Sequence, residues 1–232
     1  MKITRVSNAG ILLEIGSRNY LIDAFNTDEV HPYYATDPVI YHEIMDADDE
    51  NYLVFTHAHP DHFNAVMTMD YLNHHESTKV IGPEPVLEKL VICGISRDRM
   101  ISAEDLKMDP KREISAFKTL HIGAPYRHVI HYSYYISGDE SLMFVGDATP
   151  IKDNYREFSV FKPHISVLAS NYAHIIGSGS RMLDLLKPDH TVVLHLPNPC
   201  EDENHLIEMT DDAAHRLIKD ITLLSIKDSI TF

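Results

Sequence analysis

Cysteine, positive charge and long apolar runs are what this 232-residue chain has least of. Two cysteines, Cys93 and Cys200, cannot build a disulfide framework, so a reducing compartment is expected. Lys and Arg number 20 against 35 Asp and Glu, a net charge of −15. A surface of that sign repels phosphate backbones and anionic bilayers, so neither nucleic acid nor membrane is an expected partner. Nowhere do the ~18 uncharged apolar residues of a membrane span run together. The apolar stretch after Met1 is broken by Ser7, Asn8, Glu14 and Arg18, too soon for a signal-peptide core, and a cytoplasmic location is expected. No charge block, low-complexity tract or linker divides the chain, and residues 1–232 read as one domain. Apolar residues make up 44% and charged residues 24%, which excludes a disordered chain.

Strand-like and helix-like segments alternate. Short β-branched or aromatic runs bounded by turn residues fall at 3–6, 11–15, 20–22, 52–55, 79–81, 114–120, 129–136, 142–145, 165–169, 191–194 and 222–226. Helices are expected at 41–48, 65–73, 83–91, 180–186 and 211–219, and Ser137-Gly138-Asp139-Glu140 marks a hairpin. Gly177-Ser178-Gly179-Ser180 lacks a phosphate-loop pattern and reads as a helix start with Ser as its cap. The expectation is sheet covered by helices.

Histidine is the compositional excess, 16 residues in all. Directly after the apolar run 52–55 stands Thr56-His57-Ala58-His59-Pro60-Asp61-His62. Three imidazoles and a carboxylate within six positions are the donors that Zn²⁺ and related divalent ions prefer. In an extended segment residues two apart point the same way, so His57 and His59 can grip one ion. Asp61 and His62 follow the turn at Pro60 and can address a second.

The H-x-H-x-D-H pattern after a strand resembles the signature of the metallo-β-lactamase superfamily. That resemblance implies a four-layer αββα sandwich with a binuclear metal site at one edge of its two sheets. It further implies later ligands in the order His, Asp, His, and strand-like runs here end on His121, on Gly146-Asp147 and on His195. His128 and His131 are rivals to His121. By the resemblance His57, His59 and His121 hold one ion, Asp61, His62 and His195 hold the other, and Asp147 bridges them. Asp23 matches an early aspartate that supports the ligands from behind. The implied activity is hydrolysis by a metal-bridging hydroxide, with Asp61 and Asp147 as its carboxylates, on a small ester, lactone or phosphodiester. Zinc is the first expectation for both ions, with Mn²⁺ or Fe²⁺ also accepted by such donors.

Departures narrow the branch. Ala65 stands where many thioester and tRNA-processing members carry Gly, and His59 stands where diiron flavoproteins carry Glu. The wording His-Ala-His-Pro-Asp-His-Phe-Asn and the compact length are most similar to the branch containing L-ascorbate-6-phosphate lactonase. Arg127, His128, Lys152 and Tyr172 follow strand ends closely enough to reach a small-molecule substrate, an anionic one if the cations take part. His128, Tyr172 and His174 are the candidates for the general acid, the alternative being that the second ion binds the leaving oxygen directly. A nuclease on the same fold needs a basic track, which the scattered Lys and Arg residues do not form. A non-enzymatic metal-binding protein that kept the fold is the third reading. The oligomeric state is not legible.

Overall fold

The computed structural model describes residues 1–27, 30–47, 51–217 and 219–232. Its first half contains β1 (Lys2–Arg5), β2 (Ile11–Ile15), β3 (Arg18–Ile22), α1 (Pro38–Asp46), β4 (Asn51–Val54), α2 (Ala65–His74), β5 (Lys79–Gly82), α3 (Glu84–Ile92) and β6 (Met100–Ser102). The second half contains β7 (Ile114–Thr119), β8 (His131–Ile136), β9 (Leu142–Phe144), α4 (Arg156–Phe161), β10 (Val167–Asn171), α5 (Arg181–Leu186), β11 (His190–Leu194), α6 (Leu206–Leu217), β12 (Ile221–Leu223) and β13 (Ser229–Thr231).

Successive strand side chains point to opposite faces, and that alternation sorts the apolar residues into three layers of core. Tyr20, Ile22, Val54 and Ile81 of one sheet meet Tyr134, Phe144, Ala169 and Val192 of the other. Leu21, Leu53 and Val80 face outward onto Ile40 and Ile44 of α1, Tyr71 and Leu72 of α2, and Val86, Leu87 and Leu90 of α3. Phe117, Tyr135, Met143, Leu168 and Val193 face the opposite way, onto Phe158 of α4, Leu183 and Leu186 of α5, and Ala214 of α6. Because both faces of each sheet are covered, central strands such as β4, β9 and β10 are largely apolar. The result is the four-layer αββα sandwich.

The sheet orders are β13-β1-β2-β3-β4-β5-β6 and β12-β11-β10-β9-β8-β7. Strand direction decides where the chemistry sits. β3 and β4 are parallel, and β9, β10 and β11 are parallel. β7 and β9 are each antiparallel to β8, so they run the same way. The residues that follow β3, β4, β7, β9 and β11 include Asp23, His57, His121, Asp147 and His195.

Several expected boundaries move. The helix expected at 211–219 is α6, which starts earlier, at Leu206, because both carboxylate oxygens of Asp202 accept from the first turn, at the N–H groups of Leu206 and Ile207, and which ends at Leu217. Ser180 does not cap α5 with its side chain; its hydroxyl donates to the Gly177 carbonyl instead. The expected 41–48 helix is α1, displaced towards Pro38 and capped by Asp37. Positions 48 and 218 of the expected helices lie outside the described residues. Among the described residues no helix is long and apolar enough to cross a membrane.

Candidate metal centre

Asp23 organises the start of the motif loop. At φ 48° it leaves β3 in the left-handed region, which Asp tolerates better than most residues. Its Oδ1 accepts from the Thr56 N–H at 2.8 Å, and its Oδ2 accepts from the Thr56 hydroxyl at 2.6 Å and from His62 Nδ1 at 2.9 Å. Since Thr56 spends its proton on Asp23, its oxygen accepts from His57 Nδ1, 2.9 Å away. His121 Nδ1 donates to the Ile122 carbonyl at 2.6 Å. In each of these three rings the Nδ1 proton is fixed, so Nε2 is left to serve as a donor to a cation.

Those Nε2 atoms converge. His57, His59 and His121 each place a donor atom within 4.8 Å of the others, as do Asp61, His62, Asp147 and His195. His57 Nε2 and His121 Nε2 are 3.2 Å apart. His195 Nε2 lies 3.3 Å from both Asp61 Oδ2 and Asp147 Oδ1. Asp147 Oδ2 stands between the groups, 3.4 Å from His121 Nε2 on one side and 3.4 Å from His62 Nε2 on the other. Neighbouring ligands of a tetrahedral ion, each ~2.0–2.1 Å from it, are separated by roughly 3.3–3.4 Å, so the donors fit a pair of small divalent ions. His62 Nε2, Asp147 Oδ1 and both ring nitrogens of His195 are buried and make no hydrogen bond among the described residues. Such atoms are costly unless a cation or proton satisfies them.

The two groups differ electrostatically. Burial lowers His57, His59 and His121, which stand as neutral donors. Burial also opposes charge on His62 and His195, but Asp147 and Asp61 outweigh it, holding His62 well above its ordinary value and lifting His195 to about 9. Asp147 stays well below the usual carboxylate range against its own burial, through His195 and His62. The carboxylate half of the site therefore draws positive charge.

Behind the donors lies a second set of fixed contacts. The Asp147 N–H donates to His131 Nε2 at 3.1 Å, and His131 Nδ1 is 2.7 Å from Thr119 Oγ1. Gly146, at φ 51°, has its carbonyl held by Asn171 Nδ2 at 2.8 Å; a Cβ there would lie 2.8 Å from Thr56 Cγ2. Asn171 Oδ1 in turn accepts from His174 Nδ1 at 3.2 Å, and the Tyr155 hydroxyl donates to His174 Nε2 at 2.5 Å. Arg5, buried and without a carboxylate partner among the described residues, donates to the carbonyls of Ser7, Asn8, Leu196 and Leu224. Asn8 passes this on, its carbonyl accepting from the His195 N–H at 3.2 Å and its amide reaching Asp61 Oδ2 at 3.4 Å.

No family model matches the sequence, and no curated protein does. Solved structures do. A possible metal-dependent hydrolase from Veillonella parvula superposes with TM-score 0.69 at 14% identity, covering 100% of this chain and 99% of that one. The metallo-β-lactamase fold protein YhfI from Bacillus subtilis has TM-score 0.64 at 13% identity, covering 99% of this chain and 98% of its own. This chain has the metallo-β-lactamase fold. An isothiocyanate hydrolase from Delia radicum gut bacteria shares it as well, with TM-score 0.64 and 16% identity over 100% of this chain and 99% of that one.

In the metallo-β-lactamase fold found here, the seven expected ligands and Asp23 lie together, and His121 stands nearer the cluster than either rival. His131 lies behind the ligands and His128 is exposed. A cavity of about 410 Å³ opens onto the centre, lined among others by His59, Asp61, His121, Asp147 and His195. Tyr172 is on its wall; Arg127, His128 and Lys152 are not, and all three are exposed. The 3₁₀ turn Ala124–Tyr126 puts Tyr126 on the cavity and leaves the two residues after it off the wall. Of the general-acid candidates, Tyr172 is on the wall, His128 is off it and His174 is buried against Tyr155. Sequence reasoning missed Tyr33, Tyr126, Asn171 and Arg5. Asn171 alone carried a signal, its place in the run 171–174 after a strand.

Proposed function

We propose that this protein is a hydrolase dependent on two divalent ions, one held by His57, His59 and His121, the other by Asp61, His62 and His195, with Asp147 shared. The observation that carries this reading is Asp147 Oδ2 equidistant between His121 Nε2 and His62 Nε2, 3.4 Å from each. Ions held there would acidify a coordinated water towards a pKa of ~7 and polarise the electrophile. Zinc suits the donors best, and Mn²⁺ or Fe²⁺ suits them too, since no thiolate takes part. Asp23, through Thr56 and directly, keeps His57 and His62 turned towards the ions. The Asp61 and Asp147 carboxylates orient the attacking water, and the Tyr172 hydroxyl stands on the cavity wall as the proton donor to the leaving group. The substrate is a small molecule, an ester, lactone or phosphodiester, met in the cytoplasm. The wording of residues 57–64 favours the lactonase-like branch of the superfamily.

Elemental analysis of protein purified without chelator, followed by assay on 4-nitrophenyl esters, tests the reading. Two ions per chain and turnover are expected. His59→Ala should lose at least one ion and reduce kcat/KM by 10² or more. Turnover that survives exhaustive chelation sinks the proposal.

A further inference from the structure

The cavity over the metal centre has a wall of one chemical kind. Beyond the ligands it is formed by Val30, Tyr33, Pro60, Ile122, Tyr126 and Tyr172, with Gly123 and the neutral amide of Asn171. Among the described residues no Lys or Arg lines it. The tyrosines bracket the centre. Tyr126 packs its ring 5.3 Å from that of His59 and 5.4 Å from that of His121. At the other end Tyr33 stands edge-on to His195, ring centroids 4.4 Å apart. At about 410 Å³ the space lies in the lower part of the range for small-molecule sites.

We infer that, of the substrates open to this centre, the one used is a neutral ester or lactone carrying a flat apolar or aromatic group, which seats between Tyr126 and Tyr33, and that an anionic group on the substrate is rejected. This rests on the hydrolase reading of the same site. Ions held by the ligand cluster would serve the scissile group, while the remainder of the substrate meets the wall. An aromatic ring gains there by burial and by edge or offset contacts with tyrosine. A carboxylate or phosphate on that remainder loses its water and finds no cation in exchange. Neutral hydrogen-bond donors, the tyrosine hydroxyls and the Asn171 amide, suffice for a carbonyl or amide but do not balance a full charge.

Two assays on metal-loaded protein decide it. In the first, 4-nitrophenyl benzoate is compared with its para-carboxylated analogue, mono-4-nitrophenyl terephthalate, each rate being divided by the uncatalysed one. The neutral ester should be favoured at least about tenfold in kcat/KM, and Tyr126→Ala should raise its KM by about tenfold while Tyr126→Phe leaves it unchanged. Equal or better turnover of the carboxylated ester overturns the inference and leaves the hydrolase reading intact. In the second, ligand-observed saturation-transfer NMR follows N-benzylacetamide, a neutral amide. Saturation of its ring, lost in Tyr126→Ala, is expected. No binding to the unsubstituted protein overturns the inference. Binding with neither ester hydrolysed supports the wall's selection of a neutral aromatic group and counts against the hydrolase reading for esters.

Discussion

Asp23 shows how much a single side chain can govern without touching the cavity. Its two oxygens take three hydrogen bonds, from the Thr56 N–H, the Thr56 hydroxyl and His62 Nδ1. In Asp23→Asn one acceptor becomes an NH₂ group that cannot face two donors, so either Thr56 or His62 must turn. The variant should fold but bind metal 10- to 100-fold more weakly, measured by competition with a chelator of known affinity. Unchanged affinity would mean that Asp23 merely closes a strand. At this scale the sequence was most legible where donors sit just beyond strand ends, because strand direction then determines where they point. Arg127, His128 and Lys152 stand off the cavity wall, because proximity in sequence says nothing about which way a side chain leaves a 3₁₀ turn. Tyr33 and Tyr126 left no trace, since a tyrosine in a loop reads the same whether it meets solvent or a ligand.

Elements buried on both faces announce themselves more plainly than edges do. β4, β10 and β11 are short apolar runs because helices cover one side of them and the other sheet covers the second. β6 and β13 are three-residue edge strands and went unread; β12, equally short and at an edge, was legible because Leu224 and Ile226 extend its apolar run. α4 was missed because Phe158, Val160 and Phe161 favour strand as much as helix. The join between α4 and the turn after β10 carries a titration. The Tyr155 hydroxyl, just before α4, donates to His174, whose pKa burial lowers from 6.5 to about 3. The unfolded chain takes up that proton near pH 6.5 and the folded one refuses it until about 3. The contribution is therefore fully present above pH 6.5 and is lost as pH falls towards 3. Urea unfolding at pH 7.5 and pH 5 should show the native protein losing about 2 kcal/mol more than His174→Gln between the two. An equal loss in both would place the protonation elsewhere.

The centre draws on both halves of the molecule, and that has a mechanical consequence. His57, His59, Asp61 and His62 follow β4 of one sheet, whereas His121, Asp147 and His195 follow β7, β9 and β11 of the other. Any ion held by His57 and His121 joins the sheets at one edge, adding a cross-link that the apolar layer between them does not supply. Ions bound to the folded chain and not to the unfolded one stabilise by mass action, about 4 kcal/mol at a thousandfold excess over Kd. Chelation should therefore lower the melting temperature by several degrees, since 1 kcal/mol corresponds to ~2–4 °C in a chain of this size. Re-addition of Zn²⁺ should restore it. The protons drawn to His62 and His195 by Asp61 and Asp147 substitute for part of that charge, so the chelated protein should stay folded at pH 7. A melting temperature indifferent to chelator would mean that the seven side chains hold themselves together unaided, and the two sheets would then owe nothing to metal.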